Sequence, residues 1–281
     1  AGIRTVMITG DHIGTARVIA EQVGITGDTM DGRRLQQLSV DDLKREVGHV
    51  SVFARIDPLD KAKILAALRS RHEIVAMSGD GVNDAPALMS ADVGVAMGQH
   101  GTEVAREAAS IVLADDHYAT IVAAVREGRR LYDNIQKFVV YLLRANLGEM
   151  LFLVVSVLAG LPLPYLPIHI LWVNLMTDGL PALALSVEPA ERGIMQRPPR
   201  PVRDGLLTGE WSRILLYVSL SFLCLLFLFL WQLRQGIALE EARSVVLTMA
   251  VIFELLLAVS SRSHRPIWEI GLFSNPWLIG A

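Results

Sequence analysis

A single cysteine, Cys224, occurs in 281 residues and lies inside an apolar run, so neither a disulfide framework nor a thiolate metal cluster can be built from this chain. Charge of one sign is wanting too: 26 Lys and Arg stand against 29 Asp and Glu, and the net charge of −3 gives no sign of a nucleic-acid partner. No internal repeat and no low-complexity tract occurs, which excludes solenoid architectures and long flexible linkers. No secretory-signal pattern opens the sequence, since the residues around Val6 already read as a strand. The first residue is not Met, and AGIRTVMITGD reads as the interior of a domain, so a truncated chain is expected.

What is abundant is apolar side chain, 52% of the residues with a mean hydropathy of +0.41. The excess is uneven. Up to Lys137, charged and apolar segments alternate as in a soluble α/β domain; beyond it come long apolar runs joined by short basic or Pro-rich connectors. Two domains are therefore expected, 1–137 and 138–281.

In the first, short β-type runs near Val6, Val52, Val75, Val95 and Val112 end in polar or Gly-rich turns. Helical patterns at Ile13 to Val23, Pro58 to Arg69 and Thr102 to Ala109 separate them. This alternation predicts a parallel sheet covered on both faces, with ligands at the carboxyl ends of the strands. Those ends carry the chemistry. Thr9, Gly10 and Asp11 follow the first strand and precede a helix whose N–H groups suit a phosphate. Arg55 ends the second, with Lys61 at the start of the next helix, where its charge opposes the macrodipole and so suits a ligand. The third delivers SGDGVNDAPAL. Asp80 and Asp84, four apart around a Gly turn, make a hard-oxygen site for Mg²⁺, and Asn83 can hydrogen-bond a phosphoryl oxygen. Folding needs alone do not explain so many carboxylates, glycines and an amide at one strand end.

In the second domain, spans are expected at about 138–160, 168–187, 214–231 and 245–260, with a further start at 277–281; each full span approaches the ~20 residues a bilayer core requires. Arg126, Arg129, Arg130 and Lys137 precede the first span, and Arg192, Arg197, Arg200 and Arg203 lie between the second and third. By the positive-inside rule these connectors and the soluble domain face the cytoplasm. Polar groups inside spans are costly and mark function. Asn146 and Glu149 share a face of the first span, Asn174, Thr177 and Asp178 share a face of the second, and Glu254 lies in the fourth. Gly179 and Pro181 can open the second helix beside them. The donors are all hard oxygen, which suits Ca²⁺ and not copper or zinc.

MITGDHIGTA, VFARIDPLDK and MSGDGVNDAPAL, in this order, resemble the phosphorylation domain of P-type ATPases, within the haloacid dehalogenase superfamily, so the first domain is expected to be a Rossmann-like part of that fold. NLGE, LWVNLMTDGLPALAL and FELLLAV are similar to the transport helices of sarcoplasmic-reticulum-type calcium ATPases. The resemblance implies that Asp80 binds Mg²⁺, that Lys61 neutralises the phosphoryl group and that Thr9 and Gly10 hold its oxygens. It implies that Asn83 and Asp84 complete the site and that Asp11 and Arg55 lie near ATP. It further implies one cation site from Asn146, Glu149, Thr177, Asp178 and Glu254, and a second sharing Asn174 and Asp178 with a Glu on an earlier helix. Ser78 stands where the calcium pumps have Thr, and both keep a hydroxyl. The phosphorylated Asp-Lys-Thr-Gly-Thr segment, the nucleotide-binding domain and the actuator do not occur in the sequence. The chain is thus expected to need those N-terminal segments as partners, and not to hydrolyse ATP alone. The function this implies is part of an ATP-driven Ca²⁺ pump. A pump for Mn²⁺, Na⁺ or H⁺, a membrane-anchored phosphatase and a non-catalytic membrane fragment are the alternatives. The Arg-rich connector after the second span has two readings, a contact for the soluble domain or a membrane anchor.

Overall fold

The computed structural model describes residues 1–263, 269, 271 and 274–280. The chain divides into two compact units, Ala1–Val125 with Met195–Arg203, and Arg126–Ile194 with Asp204–Ala281.

The first unit holds six strands in two parallel three-stranded sheets, where one sheet was expected. One runs β1 (Met7–Ile8), β3 (Val50–Ala54), β2 (Asp28–Asp31); the other runs β4 (Ala76–Gly79), β5 (Val93–Met97), β6 (Ile111–Leu113). The central strand β3 is buried at every residue. Its pairing with β2 shifts at Ser51, between Asp28↔Val50 and Thr29↔Val52. That bulge breaks the period-2 alternation. Val50 and Phe53 therefore join one core cluster, with Leu43, Ile64 and Leu68, while Val52 and Ala54 meet Ala16 and Ala20 in another. By contrast β1 and β4 are only partly buried, and each pairs with a strand on one side alone among the described residues. Two sheets replace the single sheet because nothing described pairs β1 to β4.

Helices follow the strands: α1 (Ile13–Gln22), α2 (Gly32–Gln37), α3 (Val40–Glu46), α4 (Pro58–Ser70), α5 (Ala85–Ser90) and α6 (Glu103–Ala108). Pro58 opens α4, where its missing N–H is not needed. The Arg-rich stretch Met195–Arg203 groups with this unit. Pro198 and Pro199 lie against Gly2, so this connector does contact the soluble part.

The long helix α7 (Tyr118–Leu158) begins in the first unit and carries most of its 41 residues into the second. At 1.5 Å per residue it is about 60 Å long, twice a bilayer's hydrocarbon core, so the expected connecting helix and first span are one element. The second span is α8 (Pro167–Trp172), a π-helical segment (Val173–Asp178) and α9 (Gly179–Ser186). Then come α10 (Trp211–Arg234), α11 (Leu239–Ser260) and the short α12 (Pro276–Gly280). Four helices are long and apolar enough to cross a membrane, Tyr118–Leu158, Pro167–Ser186, Trp211–Arg234 and Leu239–Ser260. Phe152, Tyr165, Leu225, Phe229, Val246 and Ala250 form a core between them. Gly148 permits close contact of α7 with α10, since a Cβ there would lie 2.8 Å from Ser221 Oγ. Leu215, Leu216, Leu220, Leu223 and Phe227 stay exposed on α10, as on a surface solvated by lipid.

Candidate functional site

The first candidate site lies where strands end. The chain stays paired past β1 and β3: Thr9 N donates to Phe53 O (2.9 Å), Arg55 N to Asp11 O (3.0 Å) and Ile56 N to Thr9 O (3.1 Å). This places Thr9 to Asp11 beside Arg55. The Thr9 hydroxyl donates to Asp11 Oδ2 at 3.0 Å and accepts the Asp11 amide at 3.1 Å. His12 Nδ1 caps α1 by accepting from Gly14 N, a role the sequence did not suggest. Arg55 has φ 55°, a left-handed conformation that costs a non-glycine residue about 1–2 kcal/mol and is typical of functional positions. Its guanidinium reaches Asp31 Oδ2 at 3.4 Å, and Asp31 also caps α2. Asp31 was not foreseen either, because DTMD has no strand-like apolar run.

On α4, Lys61 Nζ meets Asp84 Oδ1 at 2.5 Å, with the two side chains 18% and 10% exposed. Asp84 Oδ2 accepts the amides of Asp80 and Gly81, both at 3.3 Å. Asp84 folds back this far because residue 79 is glycine; a Cβ there would lie 2.5 Å from Asp84 Cβ. Lys61 follows β3 and Asp84 follows β4, so this pair joins the ends of the two sheets. Both oxygens of Asp84 are thus engaged by the protein, whereas sequence reasoning paired it with Asp80 as a metal ligand. Asp80 and Asn83 are exposed, and their side chains have no partner among the described residues. The free Asp80 carboxylate and the free Asn83 amide oxygen are hard donors of the kind that fits Mg²⁺.

The second candidate site lies between the apolar helices. Thr177 Oγ1 donates to Glu254 Oε2 at 2.6 Å. Asn146 Nδ2 donates to Asp178 Oδ2 at 2.9 Å. The Glu149 side chain lies beside that of Glu254. Five of the six residues picked from the spans, Asn146, Glu149, Thr177, Asp178 and Glu254, therefore meet, with Thr177, Asp178 and Glu254 buried. Asn174 does not join them: it is exposed, and its amide donates to Ile170 O within its own helix. Pro181 has no N–H to offer the Thr177 carbonyl four residues back. The hydroxyl of Tyr141, which is fully buried, donates to that oxygen at 2.7 Å and lies 3.4 Å from Asp178 Oδ1. Tyr141 was missed; its position two turns before Glu149 on the same helix was the available signal.

What distinguishes this cluster is the kind of partner. Elsewhere in the same unit buried carboxylates come with cations. Glu188 Oε1 lies 2.9 Å from Arg262 NH2, and Glu210 holds Arg144 at 3.2 Å and Arg213 at 3.0 Å. The partners of Glu149, Asp178 and Glu254 are Asn, Thr, Tyr and one another, with no Lys, Arg or His among the described residues. No three or more His, Cys, Asp and Glu side chains among the described residues draw together tightly enough to hold a metal by themselves. A cation here would also take amide, hydroxyl and backbone oxygens.

Known proteins resemble the chain along its whole length. Residues 1–92 match the family model of haloacid dehalogenase-like hydrolases, and residues 162–281 match that of the C-terminus of cation transporting ATPases. The chain is 47% identical over 99% of its length to a probable cation-transporting ATPase F of Mycobacterium tuberculosis, covering 32% of that protein. It is 45% identical over its whole length to a calcium-transporting ATPase of Bacillus subtilis, covering 32% of it. To calcium-transporting ATPase 1 of Yarrowia lipolytica it is 37% identical over its whole length, covering 31%. The chain spans about a third of the length of these relatives.

Proposed function

We propose that this chain, which belongs to the P-type cation-transporting ATPases, is the part of an ATP-driven pump that moves Ca²⁺ across a membrane through an aspartyl-phosphate cycle. The observation that carries the proposal is the acidic cluster without a protein counter-charge among the described residues. Burying ionised carboxylates requires a compensating cation. Glu188 and Glu210 receive theirs from arginine, whereas Glu149, Asp178 and Glu254 leave that place to a mobile ion. Their hard oxygens, with Asn146 and Thr177, favour Ca²⁺ over softer metals. The names of the Bacillus and Yarrowia relatives point the same way. Asn174, exposed on the π segment, would serve a second ion only together with a residue from an earlier helix.

In this reading residues 1–137 are the phosphorylation domain and its connecting helix, and 138–281 are the membrane domain. Asp80 and Asn83 hold Mg²⁺ and a phosphoryl oxygen, and bound Mg²⁺ supplies charge neutralisation at the phosphate. Thr9 and Gly10 bind phosphoryl oxygens, Lys61 offers them its positive charge and Asp84 holds Lys61 in place. Asp11 and Arg55 lie toward the nucleotide. The attacking carboxylate comes from another segment of the pump. The half-buried edges of β1 and β4 are where a further parallel strand would deliver it. The soluble domain faces the cytoplasm, by the Arg-rich connectors around the spans and because ATP is cytosolic.

The test is Ca²⁺-dependent phosphoenzyme formation from labelled ATP in the full-length pump. Glu149→Gln, Asp178→Asn and Glu254→Gln should each raise half-saturating Ca²⁺ at least roughly tenfold, the equivalent of 1.4 kcal/mol. Stimulation by Mn²⁺ or Na⁺ in place of Ca²⁺ would assign the other ion. Unchanged Ca²⁺ dependence in all three variants would defeat the proposal.

A further inference from the structure

The loop after β5, residues 98–102, is held by a residue with no role in the reading so far. Asp116, between β6 and α7, accepts the amide of Gly98 at 2.6 Å, of Gln99 at 3.0 Å and of His100 at 2.8 Å. Its Oδ2 also lies 2.7 Å from His100 Nδ1. Three successive N–H groups converging on one carboxylate form an anion nest, here filled from within the protein. Arg106 closes the loop from the other side, NH1 donating to Gly98 O at 2.8 Å. At the far end of the loop, Thr102 N donates to the carbonyl of Asp80 at 2.8 Å.

The two adjacent aspartates divide the work. Asp115 serves the helix start, accepting from His117 N at 3.1 Å and Thr120 Oγ1 at 2.6 Å. Asp116 turns back to the β5 loop from a left-handed backbone, φ 54°, a conformation Asp tolerates better than most residues. Burial raises the Asp116 pKa, but the amides of Gln99, His100 and Gly98 and the His100 ring outweigh it and hold the carboxyl at about 2. The anchor is therefore charged at every physiological pH.

We propose that Asp116 is a positioning residue for the phosphoryl site: by fixing the 98–102 loop it fixes, through the Thr102 amide, the backbone that presents the Asp80 carboxylate. The inference rests on the assignment of Asp80 to Mg²⁺. Asp80 has no side-chain partner of its own among the described residues, so its placement depends on its backbone, and the Thr102 hydrogen bond is one of the contacts that set it. Asp116 touches neither metal nor phosphate.

The test measures phosphoenzyme formation in the full-length pump while Mg²⁺ is titrated at saturating Ca²⁺, and then while Ca²⁺ is titrated at saturating Mg²⁺. Asp116→Asn keeps one acceptor oxygen and loses the charge. It should raise half-saturating Mg²⁺ by roughly tenfold, the equivalent of 1.4 kcal/mol, and leave half-saturating Ca²⁺ unchanged. His100→Ala leaves the three amide contacts in place and should shift neither. Asp80→Asn is the control. If it raises half-saturating Mg²⁺ and Asp116→Asn does not, the inference is overturned. If Asp116→Asn lowers only the yield of folded pump, with a normal Mg²⁺ titration, the role is structural and the inference is again overturned. If Asp80→Asn itself leaves the Mg²⁺ titration unchanged, the assignment of Asp80 falls first.

Discussion

Glu254→Gln and Arg262→Met should differ in when they destabilise, although both alter a buried charged residue of the helical unit. Arg262 and Glu188 are 2% and 4% exposed and 2.9 Å apart. Removing the arginine leaves the Glu188 carboxylate with Asn275 and no cation among the described residues. Breaking a buried pair in this way costs about 3–5 kcal/mol. Glu254 has no cation to lose. Gln keeps its volume, keeps an oxygen for the Thr177 hydroxyl and can donate to Glu149. Its cost without divalent cation should therefore be within about 1 kcal/mol of zero. With Ca²⁺ at about 100 times its dissociation constant the gap between the two variants narrows: the wild type gains about 2.7 kcal/mol from binding and the Gln variant forfeits most of that. The assay is thermal unfolding of the detergent-solubilised full-length pump, followed by circular dichroism, with chelator and with Ca²⁺. The reasoning is refuted if Glu254→Gln is as destabilising as Arg262→Met in chelator, or if Ca²⁺ stabilises it as fully as the wild type.

Four further outcomes follow from the geometry. Lys61→Met and Asp84→Asn should be non-additive by about 1–3 kcal/mol in a double-mutant cycle on thermal stability, since the pair is in contact and mostly buried; additivity within about 0.5 kcal/mol would mean the contact contributes nothing. Gly79→Ala should displace Asp84 and slow phosphoenzyme formation while leaving half-saturating Ca²⁺ unchanged, because its added Cβ would sit 2.5 Å from Asp84 Cβ. Tyr141→Phe should cost about 1–3 kcal/mol by leaving the Thr177 carbonyl without its donor, read from the shift in unfolding temperature. Asp116 has a folded pKa depressed from 3.8 to about 2, so its contribution to stability is complete above pH 3.8 and disappears as the pH falls toward 2. The stability difference between wild type and Asp116→Asn should shrink over that window.

The legible parts of the fold were those with a strong local period or a costly residue. The apolar runs located all four apolar helices, the second and third to within about three residues at each end, since a helix that must satisfy its own backbone in lipid shows itself in composition; the first and fourth begin earlier, at Tyr118 and Leu239, in stretches that carry charge. Five strands were found where branched apolar residues cluster, and β2 was missed because Asp28 to Asp31 has none. Its place at the sheet edge comes from pairing with β3, a tertiary effect. The short helices α2, α3 and α5 escaped for the same reason; at six or seven residues their apolar faces are too brief to show a period. Among site residues, ionisable groups inside spans were easy to pick, because their cost in lipid makes each a candidate. Tyr141 and Asp116 were not, since their value lies in which distant backbone groups they reach. Asp84 reads in the sequence as a metal ligand beside Asp80, and only the structure distinguishes a carboxylate that grips Lys61 from one left free.

The geometry around Pro181 also bears on how a change at one end of α7 could be felt at the acidic cluster. In an uninterrupted helix the Thr177 carbonyl would be satisfied locally and would not sense its neighbours. Here its donor is the Tyr141 hydroxyl on α7, and the same helix supplies Asn146 to Asp178. Sliding or rotating α7 against this span would break both hydrogen bonds together and leave the Thr177 carbonyl and the Asp178 carboxylate unsatisfied in a buried place. Such groups cost free energy until another partner arrives, and a cation is a partner for both oxygens at once. In the function proposed above, the proline thus makes ion occupancy and α7 position alternatives for the same acceptors. That is the differential interaction a ligand needs in order to shift an equilibrium between two arrangements. Tyr141→Phe should accordingly lower the cost of moving α7 and alter half-saturating Ca²⁺, whereas Tyr217→Phe, which loses a hydrogen bond to the Phe253 carbonyl in an uninterrupted helix, should leave it unchanged.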